Sequence, residues 1–183
     1  MLPVKIGVFP GSFNPPTHAH LRIALAALDL LGVDQVLLCV SRAALAKDNT
    51  VGPKFEQRLQ VVKAMVAAYP QLDVITTDAK LLADICAEVG AAALIVGADK
   101  WRQIHELQWY ESAETRDRLL ASLPRTIVAA RSGYLLQPAV PQTNVLVVDD
   151  ILQTYSSTAA RTTNPEWMVD EAADHVRAHG GWH

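Results

Sequence analysis

Cysteine is nearly absent from this chain of 183 residues: Cys39 and Cys86 are the only two. They stand in separate apolar segments, with no CxxC pair and no disulfide framework, so a reducing, cytoplasmic setting is expected. Long apolar runs are missing as well. No uninterrupted stretch approaches the ~20 residues that a membrane-spanning helix needs. The opening Met1-Leu-Pro-Val-Lys-Ile lacks the basic end, apolar stretch and small-residue cleavage site of a secretion signal, so no membrane partner is expected. An excess of one charge is also lacking: 16 Lys/Arg against 19 Asp/Glu leave a formal −3. A non-specific nucleic-acid binder carries a basic excess or stripe, so that class is excluded. With 50% apolar residues, the chain is no low-complexity or disordered polymer. Its length predicts one domain spanning 1–183. Oligomeric state stays open, because a parallel-sheet domain of this size occurs both alone and as a homo-oligomer.

What is present is an alternation of short apolar runs with helical patterns. Lys5–Pro10, Gln35–Val40, Leu72–Thr76, Ala92–Val96, Arg125–Ala129 and Asn144–Val148 read as strands. Several are apolar throughout, as expected when both faces of a strand are covered. Between the first two, Leu21, Ala24, Leu25, Leu28 and Leu31 form a stripe at helical spacing over His18–Leu31, with Gly32 as the stop. A second helix is predicted over Lys54–Tyr69, with Leu59, Val62, Met65 and Val66 inward, and a third over Lys80–Val89 before Gly90. Strand, helix, strand, repeated, implies right-handed crossovers: an α/β fold with a parallel sheet and helices on both faces. Lys100–Leu123 is expected to form short helices or a lid. A short helical tail follows, capped by Asn164 with Pro165 in its first turn. His105, His175, His179 and His183 show no partner pattern and are expected on the solvated surface.

In an open parallel sheet, ligands bind at the carboxyl ends of the strands, near the point where strand order reverses. Three segments leave strands with polar chemistry. Gly11–Arg22 (GSFNPPTHAHLR) follows the first strand. Gly11 lets the backbone approach a ligand, and Thr17 and His20 sit at a helix start, where unpaired N–H groups and the dipole favour an anion. Gly97-Ala98-Asp99 follows the fourth strand, and Asp99 can accept hydrogen bonds from a ribose hydroxyl. Ser156-Ser157-Thr158-Ala-Ala-Arg161 follows the last strand, with Ser156 as N-cap and Ser157 and Arg161 on one helix face. Each segment taken alone also fits a plain capped helix or turn. Two anion sites on one sheet edge suit a polyphosphate. There is no GxxxxGK[ST], no GxGxxG after the first strand and no HExxH. His18-x-His20 as a metal pair would belong to a (β/α)₈ barrel, which needs ~250 residues. No metal-ligating residue is therefore assigned.

These residues resemble a known family. Gly11-Ser-Phe-Asn-Pro with Thr17 and His20 is similar to the (H/T)xGH signature of nucleotidyltransferases, in the form found in nicotinamide/nicotinate mononucleotide adenylyltransferases. Ser156-Ser-Thr-x-x-Arg161 resembles their ISSTxxR motif, and Gly97-Ala-Asp99 their GxD segment. The matches run in family order over residues 6–161. Two departures stand out. Thr17 and Ala19 replace the first His and the Gly of the usual bacterial HxGH, and Ser41–Thr50 lacks a PxHK-like basic segment.

The resemblance implies a single Rossmann-like (HUP-type) domain with 155–179 as a C-terminal helical segment. It also implies a transferase that moves AMP from ATP to a mononucleotide phosphate and releases pyrophosphate, in NAD biosynthesis. His20, Thr17 and Arg161 would be catalytic. Gly11, Ser12, Phe13, Gly97, Asp99, Ser156 and Ser157 would bind the nucleotide, and Trp109 would cover the acceptor base. Arg42, Lys47 and Lys54 are candidates for the basic residue after the second strand, Lys47 being taken as the acceptor contact. Mg²⁺ is expected with the ATP phosphates. The alternatives are an adenylyl- or cytidylyltransferase acting on another phosphomonoester, such as phosphopantetheine or a polyol phosphate, and a non-catalytic nucleotide sensor.

Overall fold

The computed structural model describes residues 3–42, 52–133 and 143–182; Lys47 and His183 lie outside them. Six strands, β1 (Ile6–Gly11), β2 (Gln35–Ser41), β3 (Leu72–Thr77), β4 (Ala93–Gly97), β5 (Arg125–Ala129) and β6 (Thr143–Leu146), form one sheet in the order β3-β2-β1-β4-β5-β6. Every neighbouring pair is parallel. The chain builds outward from β1 to β3, then crosses back to place β4 on the other side of β1. That reversal opens a crevice at the carboxyl ends of β1 and β4.

The apolar strands serve two cores, and successive side chains alternate between them. Phe9, Leu38, Val40, Ile95 and Ile127 join one core, with α1 (His18–Leu31), α2 (Phe55–Val66) and α7 (Asp170–His179). Val8, Cys39, Leu94, Val96 and Val128 join the other, with α3 (Leu82–Val89) and α4 (Ala98–Gln103), and with Leu120 of α5 (Ala113–Ala121). Helices therefore cover both faces, as the sequence predicts. Cys39 and Cys86 are both free, buried thiols of the second core.

Local signals set most boundaries. Helix α1 has the predicted limits and stops at Gly32, whose φ of 61° is left-handed and needs no Cβ. Its buried face is centred on Ala24 and Ala27, with Leu21, Leu25 and Leu28 only partly covered. The small residues let the helix axis close on the sheet. Helix α2 ends earlier than predicted, because its last turn tightens into Ala67 N–H to Ala64 and Tyr69 N–H to Val66 bonds.

Further expectations change. Strand β6 stops at Leu146 because β5, its one neighbour among the described residues, ends at Ala129 opposite it. The tail helix does not begin at Asn164. Pro165–Trp167 forms a separate 3₁₀ turn, and α7 starts at Asp170 after extended Met168 and Val169. Those two residues instead reach the loop before α1: Met168 bridges Thr17, and Val169 N–H donates to the Pro16 carbonyl at 3.3 Å. His105 and His175 are not solvated surface either. His105 packs edge-on against Trp101 at 4.8 Å and bonds its carbonyl, while His175 packs against Trp182 at 5.3 Å. Lys100–Leu123 forms short helices: the rest of α4, a 3₁₀ turn at Leu107–Trp109, and α5.

Candidate active site

At the crevice the structure has a cavity of about 480 Å³, within the size range of small-molecule sites. All three polar segments of the sequence reach it. Gly11, Ser12, Phe13, Thr17 and His20 line one wall, Gly97 and Asp99 another, and Ser156, Ser157 and Thr158 a third.

His20 is fixed from behind. The Thr17 backbone N–H donates to His20 Nδ1 at 3.0 Å, and Thr17 Oγ1 lies 2.9 Å from the same nitrogen. A backbone N–H can only donate, so Nδ1 is the acceptor and the neutral ring carries its proton on Nε2. The ring packs edge-on against Phe13 at 5.2 Å and tilted against Phe9 at 6.2 Å. Burial in this apolar setting lowers its pKa to about 4; Asp99 pulls it back up and Arg131 presses it down. At neutral pH, His20 is thus an uncharged donor. Thr17 is 1% exposed, so its closest tie is to the imidazole.

Phe13 has a left-handed φ of 42°, and its ring lies over Gly11. A Cβ on Gly11 would meet that ring at 2.9 Å. Here glycine is required by a close approach.

Helix α6 (Ser157–Thr162) begins as predicted: Ser156 Oγ accepts from Ala159 N–H at 3.0 Å. Ser157 Oγ donates to the Pro15 carbonyl at 2.7 Å, and Arg161 donates to the Asn14 carbonyl. The two helix starts are therefore joined on one side of the molecule. Arg161 reaches the loop rather than the cavity wall, and partial burial lowers its pKa.

Several charges escaped the sequence reading. Lys80, Lys100, Arg102 and Arg131 line the cavity against Asp99 and Glu106. Four cations against two carboxylates make this pocket basic in a chain whose total charge is −3. Asp99 and Arg131 pair at 3.0 Å across the ends of β4 and β5. Arg58, 6% exposed, donates from Nη1 to the Ser12 carbonyl at 2.9 Å, while its Nε is buried with no bond among the described residues. Burial lowers its pKa. Of the basic candidates near the second strand, Arg42 stacks on Phe55 at 5.1 Å and pairs with Asp78 at 3.7 Å; Lys54 precedes α2, and neither lines the cavity. Trp109 is not a lining residue, but its Nε1 donates at 3.2 Å to Glu106, which is. Trp101 is 2% exposed and belongs to the core. Among the described residues, no cluster of three or more His, Cys, Asp or Glu could hold a metal by itself, and no helix is long and apolar enough to cross a membrane.

Residues 8–163 match the model of the cytidylyltransferase-like family. The chain belongs to that family of nucleotidyltransferases. It is 27% identical to a probable nicotinate-nucleotide adenylyltransferase of Ruegeria pomeroyi, over 97% of this chain and 87% of that protein. A relative with the same description from Anaeromyxobacter sp. (strain K) is 35% identical, over 75% of this chain and 76% of its own. A solved structure, the Plasmodium falciparum nicotinic acid mononucleotide adenylyltransferase complexed with NaAD, superposes with a TM-score of 0.76 over 97% of both chains. At 14% identity, that likeness establishes the Rossmann-like fold. All three polar segments fall within the matched residues. The lining cations and the buried Arg58 come from the coordinates alone.

Proposed function

We propose that this chain is a nicotinate mononucleotide adenylyltransferase of NAD biosynthesis, acting in the cytoplasm on ATP and a pyridine mononucleotide. One observation carries this reading: His20, Asp99 and Ser156–Thr158 line a single basic cavity at the reversal point of the sheet. The names of the two bacterial relatives support the choice of acceptor.

An oxygen of the acceptor phosphate attacks the α-phosphorus of ATP in line. The bond from that phosphorus to the oxygen leading to the β-phosphate breaks, and pyrophosphate departs with the electron pair. The acceptor phosphate is already ionised at neutral pH, so alignment and charge neutralisation carry the rate rather than a strong base. His20 Nε2–H donates to an ATP phosphate oxygen, and Thr17 holds the ring. The backbone of Gly11, Ser12 and Phe13 meets the nucleotide, and Gly97 leaves room beside Asp99, which accepts from a sugar hydroxyl. Ser156 and Ser157 face the leaving pyrophosphate, while Arg161, bonded to the Asn14 carbonyl, braces the loop beside them. Trp109 covers the acceptor base at the rim beside Glu106. Among the described residues the donor set is too sparse for an all-protein metal cage and would suit Mg²⁺ held mainly by phosphates and water, with Asp99 and Glu106 the carboxylates of the lining. When bound, the ion supplies further neutralisation of phosphate charge.

The test is pyrophosphate release by the full chain, with ATP or CTP against nicotinate mononucleotide, nicotinamide mononucleotide, phosphopantetheine and a polyol phosphate. The highest kcat/KM is expected for ATP with nicotinate mononucleotide. Preference for a non-pyridine acceptor overturns the assignment, and ATP binding without turnover on any acceptor points to a sensor.

A further inference from the structure

The loop Asn14–Thr17 is held at four successive residues by the segment 157–182. Arg161 donates to the Asn14 carbonyl, and Trp182 Nε1 donates to Asn14 Oδ1 at 2.6 Å. Ser157 Oγ holds the Pro15 carbonyl, Val169 N–H the Pro16 carbonyl, and Met168 bridges Thr17. Helix α1 begins at the next residue, and its third residue is His20. Thr17, the last of the four, contributes the N–H and the hydroxyl that fix the imidazole. A displacement of this loop is therefore passed directly to the ring.

Of the three side-chain hydrogen bonds in this set, the one from Trp182 is the buried one. Its indole is 7% exposed and Asn14 is 4% exposed, and the edge of His175 packs against the indole. Removing the indole donor deprives the Asn14 side-chain oxygen of this buried bond, which costs more than losing an exposed bond of the same length. The indole N–H thus fixes where Asn14 sits, beyond filling space.

We infer that Trp182 is a positioning residue: with Val169 and Met168 it clamps the Asn14–Thr17 loop and so holds His20 in register with the cavity. This rests on the proposed adenylyl transfer for its kinetic consequence, but its structural part is independent of it.

The experiment compares the full chain with Trp182→Phe, which keeps an aromatic ring and removes the N–H donor. Val169→Pro is the second variant. It removes the bond to Pro16 at a residue whose φ of −63° already suits proline. Four quantities are read: kcat, KM for ATP, the melting temperature, and the pH titration of the His20 ring followed by NMR without ligand. A neutral hydrogen bond corresponds to about fivefold in an equilibrium or rate. Trp182→Phe should therefore lower kcat about five- to tenfold while KM for ATP stays within about twofold. The His20 midpoint should rise from about 4 towards 6.5 as water enters. Asp99 and Arg131, the charged groups facing the ring, are untouched.

A lower melting temperature with unchanged kcat and an unmoved His20 midpoint overturns the proposal, leaving Trp182 a purely structural residue. If Trp182→Phe does not fold, the same readings on Val169→Pro decide. If the parent protein shows no turnover on any acceptor, the proposed function fails while the His20 titration still decides the clamp.

Discussion

The state of His20 yields the sharpest consequence of the structure. Its Nδ1 accepts from Thr17, so only Nε2–H is left to meet substrate. Asparagine places an amide where Nδ1 sits and nothing at Nε2, whereas glutamine reaches the Nε2 position. Loss of one donor to developing charge costs about 10²–10³ in kcat, roughly 2.7–4 kcal/mol. His20→Asn should lose that factor, and His20→Gln should recover about tenfold of it. With a pKa near 4, the free enzyme's ring stays neutral from about pH 5.5 to 8. The kcat/KM profile for pyrophosphate release should then contain no inflection owed to His20 in that range. The same shift has a stability counterpart. The unfolded chain takes up the proton near 6.5 and the folded chain only near 4. The stability that depends on the neutral ring is therefore complete above pH 6.5 and is lost as pH falls towards 4. A difference of 2.5 units corresponds to about 3 kcal/mol. Urea midpoints at pH 7 and pH 4.5 should fall further for the parent than for His20→Asn. A kcat/KM inflection between pH 6 and 7 that vanishes in His20→Gln, with Gln as inactive as Asn, would refute the neutral-donor assignment and make the ring a proton donor.

Further perturbations address the rest of the site. Gly11→Ala drives a methyl against the Phe13 ring at 2.9 Å; a destabilisation of about 1–3 kcal/mol is expected in urea titrations, with kcat reduced because Phe13 also packs on His20. Asp99→Asn removes a partly exposed pair with Arg131, so stability should change by less than about 1 kcal/mol. The His20 titration should move further down and substrate KM should rise; unchanged KM removes Asp99 from the binding surface. Trp109→Ala should raise KM for the acceptor about fivefold or more and leave KM for ATP unaltered, a loss of aromatic stacking of about 1 kcal/mol. Burial pushes the thiols of Cys39 and Cys86 up to about 12, so a thiol reagent at pH 8 should label neither until the chain is unfolded; rapid labelling of the native protein contradicts that.

Nearest-neighbour physics made much of this protein legible in its sequence. Helix α1 lies between Thr17 and Gly32 because capping and left-handed stops are local, and Ser156 caps α6 for the same reason. Continuous apolar strands announce a sheet covered on both faces, because every side chain of such a strand is buried. The three polar turns could be found since each follows a strand. Tertiary structure alone decided what those turns face. Arg58 meets Ser12 across 46 positions of chain and Trp182 meets Asn14 across 168, distances at which no periodicity or capping rule operates. The basic lining arises because strand order 3-2-1-4-5-6 gathers Lys80 and Arg131 from separate loops and Arg102 from α4 around one crevice. Net charge averages over those positions; only the folded chain sums them at one place. The delayed start of α7 has the same origin, since Met168 and Val169 satisfy backbone groups of the Pro16–Thr17 loop in place of a further helical turn.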